Sequence, residues 1–231
     1  MPAARSPEPH AGLMDRVYRR QRHIYDFTRK YYLLGRDRLI QELDPAPGDK
    51  LVEIGCGTAR NLIRIARQWP DLTLYGLDAS EEMLKTARAR VAGAGLSHRI
   101  TLAHGLAEDL TPHLFGGVDH AVFSYSLSMI PDWRRALAAA GATLNPGGRL
   151  HIVDFGDLKG LPPGAEAVLR AWLGLFHVTP RGELLAGLEG GDAPARGRLI
   201  LLPGRYAFRL SAYKSETNQG SLCGLPVTAR G

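Results

Sequence analysis

From residue 51 to residue 155, short apolar runs alternate with longer stretches of helical period. Leu51–Ile54, Leu72–Leu77, Ile100–Ala103, Val118–Ser124 and Arg149–Phe155 have the length and branched, apolar character of strands. Between them, Ala59–Gln68, a segment from Ser80 to Gly93 and Gly95, and a segment from Asp132 to Leu144 space their apolar residues as helices do. Ser80 is a suitable N-cap, with Glu81 and Glu82 in the favourable first turn, and Asn145-Pro-Gly-Gly148 stops the helix before the fifth strand. Such alternation predicts a parallel sheet with helices on both faces. A further helix is expected near Ala165–Phe176, then a glycine-rich connection over 187–197. There the pattern changes: Gly197–Leu202 and Tyr206–Tyr213 flank Pro203-Gly-Arg205 and read as an antiparallel hairpin.

The ends of the chain read differently. Residues 1–12, rich in Pro, Ala and Gly, are expected to be disordered. Helical character runs from Asp15 to about Leu34, breaks at Gly35 and resumes to Leu43, before Pro45-Ala-Pro47-Gly48 stops it. This divides the chain into a helical lid over 13–44, a main domain over 45–214 and an unstructured tail over 215–231.

Composition narrows the setting. With 231 residues and 45% hydrophobic content, a single sizeable domain is expected. No apolar run reaches the roughly 18 residues of a membrane span, and the first residues do not read as a signal peptide. Two cysteines, Cys56 and Cys223, do not make a disulfide framework, so a cytoplasmic location is expected. The net charge of +6 is unevenly placed. Arg16, Arg19, Arg20, Arg22, Arg29, Lys30, Arg36 and Arg38, against Asp15, Asp26 and Asp37, give residues 14–40 a charge of +5. A segment of this kind attracts nucleic acid or an acidic membrane surface.

The candidate chemistry begins at Glu53-Ile-Gly55-Cys-Gly57-Thr-Ala59-Arg60. Glycines at 55 and 57 allow a tight turn and close backbone approach to a ligand. Asp78, at the tip of the next strand, is placed to accept hydrogen bonds from both hydroxyls of a ribose. Arg60 occupies the position where a dinucleotide fingerprint needs a third glycine, and no Lys-Ser or Lys-Thr follows to make a phosphate loop. The motif instead resembles the first motif of class I S-adenosylmethionine (SAM) dependent methyltransferases, with Ala59 in place of a third glycine.

That resemblance implies a Rossmann-like α/β fold, with a seven-stranded, mostly parallel sheet, a C-terminal antiparallel hairpin and the N-terminal helical lid. It implies SAM as cofactor, with S-adenosylhomocysteine as product, and no metal. It assigns Glu53 to organising the loop near the methionine amino group, and Glu108 or Asp109 to the adenine amine. Met83, one turn beyond Asp78, either covers the adenine or packs the core. Ser124, Tyr125 and Ser126, at the carboxyl end of the fourth strand, are expected to face cofactor or substrate. The segment departs from the Asp/Asn-Pro-Pro-Tyr motif of many DNA methyltransferases, which counts against a nucleic-acid substrate. Methyl transfer to an amine is an in-line displacement, and an amine that enters neutral needs no strong base. Asp154, at the end of the fifth strand, is a candidate for orienting a cationic amine. His120, His151 and His177 are read as structural.

The acceptor is suggested by the N-terminal segment. Tyr18, Tyr25 and Tyr32 recur every seven residues with Arg22 and Arg29 between them, which puts them on one helical face. Such a face offers rings to methylammonium groups and guanidinium groups to anionic lipid. The run Tyr25-Asp-Phe-Thr-Arg-Lys-Tyr-Tyr-Leu-Leu-Gly-Arg-Asp37, with the glycine loop, is similar to the bacterial N-methyltransferases of betaine-lipid synthesis. This resemblance implies trimethylation of diacylglyceryl-homoserine, with Tyr25 and Tyr32 walling the ammonium head beside Tyr125. It also implies a peripheral site on the inner membrane face, no nucleic-acid partner, and contact with an upstream lipid-synthesis enzyme. Phospholipid and quinone-pathway methyltransferases would share the cofactor site and the basic face. Arg22→Glu combined with Arg29→Glu is expected to weaken sedimentation with anionic vesicles several-fold while leaving SAM affinity unchanged. Equal loss of both would make the helix a structural lid instead.

Overall fold

A computed structural model describes residues 33–175, 178–187 and 197–214 of the chain. Residues 1–32, including Tyr25 and Tyr32, and the tail over 215–231 lie outside the described residues. The chain enters through α1 (Arg36–Gln41) and then runs β1 (Lys50–Ile54), α2 (Arg60–Gln68), β2 (Thr73–Asp78), α3 (Glu81–Gly93) and β3 (Ile100–His104). It continues with α4 (Pro112–Phe115), β4 (Val118–Ser124), α5 (Trp133–Thr143), β5 (Leu144–Phe155), α6 (Pro163–Gly174) and α7 (Gly182–Gly187), and closes with β6 (Gly197–Leu201) and β7 (Ala207–Tyr213).

The seven strands form one sheet in the order β3-β2-β1-β4-β5-β7-β6. Strands β3, β2, β1, β4 and β5 are parallel, and β7 pairs antiparallel with both β5 and β6. The antiparallel pair follows from the short Pro203–Arg205 turn, which reverses the chain where earlier connections cross over through helices. Because β1 lies between β2 and β4, the strand order reverses there, and a crevice opens at the carboxyl ends of these strands.

Alternation along β1 sorts its side chains between two cores. Val52 and Ile54 join Phe123, Trp133, Leu137 and Ile152 under α5, while Leu51 joins Ile40, Leu62, Ile65, Leu84 and Val153 under α1, α2 and α3. Each fully buried leucine or isoleucine contributes roughly 2 kcal/mol by leaving water, which is why the strands read as nearly unbroken apolar runs. Asn145–Gly148, read from the sequence as a turn, lies inside β5 as an irregularity. Val118 pairs with Leu144 but His120 pairs with Arg149, so the intervening residues bulge. The short α4 and α7 carry too few residues to show a helical period and are not predicted from the sequence.

At the amino ends of the central strands a polar relay crosses the sheet. Asp49 Oδ2 lies 3.0 Å from His120 Nε2, His120 Nδ1 lies 3.1 Å from His151 Nε2, and His151 Nδ1 lies 3.1 Å from Ser211 Oγ. Burial, which lowers the pKa of both rings, favours this neutral, structural arrangement. Burial, with the repulsion that a protonated His120 would add and that of Arg149, lowers the pKa of His151 to about 3.

The linkage sign follows. A histidine kept neutral by the fold adds stability that is complete above its unfolded value near 6.5 and is lost as pH falls toward 3. Between pH 6.5 and pH 4, the urea midpoint of the native chain should fall more steeply than that of His151→Gln. The difference should approach one proton, or about 1.4 kcal/mol per pH unit. Parallel profiles would show that His151 does not resist protonation.

Candidate cofactor and acceptor site

The crevice divides into two hollows that meet at the glycine loop. The first encloses about 660 Å³ and is lined by Ile54, Leu77, Asp78, Ala79, Leu106, Ala107, Glu108, Tyr125, Met129 and Ile130. The second encloses about 990 Å³ and is polar, lined by Arg36, Glu53, Thr58, Arg60, Asn61, Arg90 and Ser124. Gly55 and Gly57 line both. An apolar slot with a carboxylate at its rim, joined to a charged hollow, matches a molecule with a flat base and ribose at one end and an amino acid at the other.

The loop is built from left-handed backbone. Gly55 has φ 74°, Gly57 φ 54° and Ala59 φ 59°. A Cβ on Gly55 would stand 2.5 Å from Ser126 Cβ, so β1 and β4 approach this closely only with glycine there. Ala59 carries the left-handed conformation without that freedom, at a cost of about 1–2 kcal/mol. Its methyl is fully buried, which returns about 0.8 kcal/mol. Alanine at the third glycine position therefore costs a few tenths to about 1 kcal/mol net.

Asp78 fixes the loop to β2. Its Oδ2 accepts from the Gly57 amide at 2.7 Å and its Oδ1 from the Ser80 amide at 2.9 Å. Ser80 in turn caps α3 by accepting from the Met83 amide. Asp78 also lines the apolar slot, at the strand tip where a carboxylate can meet a ribose. Glu108 lines the apolar slot, whereas the side chain of Asp109 is exposed and faces Arg135 at 3.9 Å. Met83 is buried and is not among the residues lining either hollow.

Glu53 is 2% exposed, with Oε1 accepting from Asn61 Nδ2 at 2.7 Å. Its Oε2 and Ser124 Oγ, which line the same hollow, are buried with no hydrogen-bond partner among the described residues. Burial raises the Glu53 pKa to about 7; the nearby Asp78 charge adds to this, and Asn61 and Arg36 partly offset it. Two unmet acceptors at the bottom of a hollow call for a donor, and an α-ammonium group supplies three. Asn61 and Arg36 are the residues that sequence reasoning missed. The available signal for Asn61 was a polar residue in the apolar stripe of α2, beside buried Leu62 and Ile65. Arg36 was counted only as part of the basic segment.

Tyr125 closes the slot from β4. It is 2% exposed, has φ 57°, and its hydroxyl donates to the Leu34 carbonyl at 2.6 Å. Burial pushes its pKa upward, so the hydroxyl is a tether for the N-terminal segment and no base. Asp154, read from the sequence as facing the acceptor, is enclosed instead. It is 1% exposed, and its oxygens accept from the Ser128 amide at 3.1 Å and the Phe155 amide at 2.8 Å. Its role is to hold backbone. Among the described residues no cluster of His, Cys, Asp or Glu is arranged to hold a metal, and no helix is long and apolar enough to cross a membrane.

Residues 52–150 match the family model described as a methyltransferase domain. The chain is 31% identical over 156 residues to a demethylmenaquinone methyltransferase of Listeria monocytogenes, covering 67% of this chain and 63% of that protein. It is 32% identical over 162 residues to a 27-O-demethylrifamycin SV methyltransferase of Amycolatopsis mediterranei, covering 68% and 59%. The chain thus spans somewhat under two thirds of the length of these relatives. Among solved structures, the apo form of the SAM-dependent methyltransferase SibL superposes with a TM-score of 0.62 at 20% identity, over 83% of this chain and 58% of that one. The fold is that of class I SAM-dependent methyltransferases. The match over residues 52–150 and this fold support SAM as the cofactor.

Ionised Glu53 suits a ligand ammonium group, whereas protonated Glu53 must first lose its proton. SAM affinity measured by calorimetry should therefore fall as pH drops from 8 to 6, by at most tenfold per unit below about 7. Glu53→Gln should bind SAM more weakly at pH 8 and show no such slope. A wild-type affinity independent of pH would remove Glu53 from the ammonium site.

Proposed function

We propose that this chain transfers the methyl group of SAM to the nitrogen of an amine carried by a lipid-like acceptor, with diacylglyceryl-homoserine as the preferred substrate. The observation that carries this reading is that, among the described residues, the acidic and phenolic side chains lining the apolar slot, Glu108 apart, are committed to backbone. Asp78 is engaged with two amides and Tyr125 with the Leu34 carbonyl. A neutral amine supplies its own lone pair. The new N–C bond forms as the C–S bond breaks, the electron pair stays on sulfur, and the proton on nitrogen departs to solvent. Glu53, Ser124 and Arg36 would hold the amino-acid end of the cofactor, Asp78 its ribose and Glu108 its adenine. The rim formed by Ile54, Leu106, Met129 and Ile130 excludes water from the reacting centre and suits an amphipathic acceptor.

The basic segment over 14–40 supports docking on an anionic membrane surface at the cytoplasmic face, where an upstream lipid-synthesis enzyme would deliver the acceptor. Its described end is already committed in part: Arg38 pairs with Glu42 at 2.7 Å, and Arg36 lines the polar hollow. A second reading is favoured by the Listeria relative, whose name specifies a quinone-pathway acceptor. Such an acceptor is also amphipathic, but an aromatic carbon becomes nucleophilic only when a ring hydroxyl loses its proton.

Lipids extracted from a host producing diacylglyceryl-homoserine should contain the trimethylated form only when the chain is expressed. Absence of that lipid, alongside SAM binding by the purified protein and methylation of a demethylmenaquinol, would replace the first reading with the second.

A further inference from the structure

Three candidates lie outside the chemistry already assigned: the Asp49–His120–His151–Ser211 relay, the exposed apolar face of α6 around Val168 and Leu175, and the contacts made by residues 178–181. The third carries an inference. The tight turn Leu127–Met129 follows β4 and brings Met129 and Ile130 into the apolar slot. Its backbone is held from both sides. Asp154 Oδ2 accepts from the Ser128 amide at 3.1 Å. The Ser128 carbonyl accepts from the Thr179 amide at 2.9 Å. The guanidinium of Arg181 spans the turn, with Nε donating to the Leu127 carbonyl at 3.1 Å and Nη2 to the Ile130 carbonyl at 2.5 Å.

We propose that Arg181 is a positioning residue for the cofactor and acceptor wall: its planar fork fixes the span of the Leu127–Ile130 turn and so the depth at which Met129 and Ile130 enter the slot. One flat group bonding carbonyls three residues apart sets a distance that a single ammonium donor does not set. Its charge is kept close by Asp154 beneath the turn, with Glu183 also attracting it and Arg134 opposing. Arg134 itself is paired with Glu183. Thr179 and Arg181 both lie beyond residue 150, where the match to the methyltransferase domain ends. The clamp is therefore added to the shared cofactor fold from outside it. The inference rests on the assignment of the slot to SAM, and not on the choice of acceptor.

Arg181→Lys in the full chain is the decisive variant, because it keeps the charge beside Asp154 and removes the fork. Its melting temperature without ligand should stay within a few degrees of the parent, while its Kd for SAM, measured by calorimetry, should rise at least fivefold. Arg181→Met should weaken SAM binding further. If Arg181→Met does not fold, Arg181→Lys alone decides the matter. A Kd within twofold of the parent in Arg181→Lys would overturn the proposal, and so would a fall in melting temperature that accounts for all the loss of binding. Because the readout is cofactor affinity, failure to methylate an aminolipid would count against the proposed acceptor and leave this result standing.

Discussion

The bond from the Gly57 amide to the Asp78 carboxylate is the interaction on which the rest of the site depends. It ties the loop after β1 to the tip of β2, so that one carboxylate shapes the loop and also lines the apolar slot. The loop needs this tie, because three of its residues, Gly55, Gly57 and Ala59, are left-handed within five positions. Glycine adopts that backbone without steric cost but loses much entropy in becoming fixed, and alanine adopts it at about 1–2 kcal/mol. A hydrogen bond to a charged group contributes about 1.5–3 kcal/mol, enough to offset such a cost, and Asp78 makes two of them to backbone amides. The loop can therefore be preorganised, with its amides and glycine faces in place before a ligand arrives.

Two buried carboxyl groups show how depth separates binding from scaffolding. Burial raises Glu53 to about 7 and Asp154 to about 6, so both resist ionisation for the same reason. They differ in what surrounds them. Asp154 has both oxygens bonded to backbone amides and lines neither hollow, so it does not face a ligand. Glu53 has one oxygen on Asn61 and one without a partner, beside Ser124 in the same condition. An unmet buried acceptor costs about 1–3 kcal/mol in the empty protein, and a ligand ammonium group recovers that cost on binding. The same half-satisfied state that weakens the fold strengthens affinity.

Much of this architecture was legible in the sequence because strand burial on both faces writes itself as apolar runs, and because a glycine turn and a strand-tip carboxylate are local signals. Asp78 could be read for that reason, and so could Ser80 as a cap. What could not be read depends on packing between distant segments. Asp154 ends a strand, as a site residue would, but the turn at Ser128 folds over it, and that closure spans 26 residues of chain. The pairing of Asn61 with Glu53 is set by the angle between α2 and β1, and the reach of Arg36 into the hollow by the way α1 lies on α2. Neither leaves a period or a motif. The bulge at 145–148 was hidden because Asn-Pro-Gly-Gly has the same composition in a turn as in an irregular strand.

The same contrast bears on how far likeness to other methyltransferases extends. The matched domain, residues 52–150, contains the glycine loop, Asp78 and Glu108. Groups that complete the two hollows and their walls come from elsewhere: Arg36 and Leu34 before it, Asp154, Thr179 and Arg181 after it. A shared domain constrains the first set and leaves the second free to differ. Identity near 31% over the shared region is therefore compatible with a common donor chemistry and a different nucleophile. The matched residues and the chain's own additions line one crevice, so the additions can alter what is held there without altering the glycine loop.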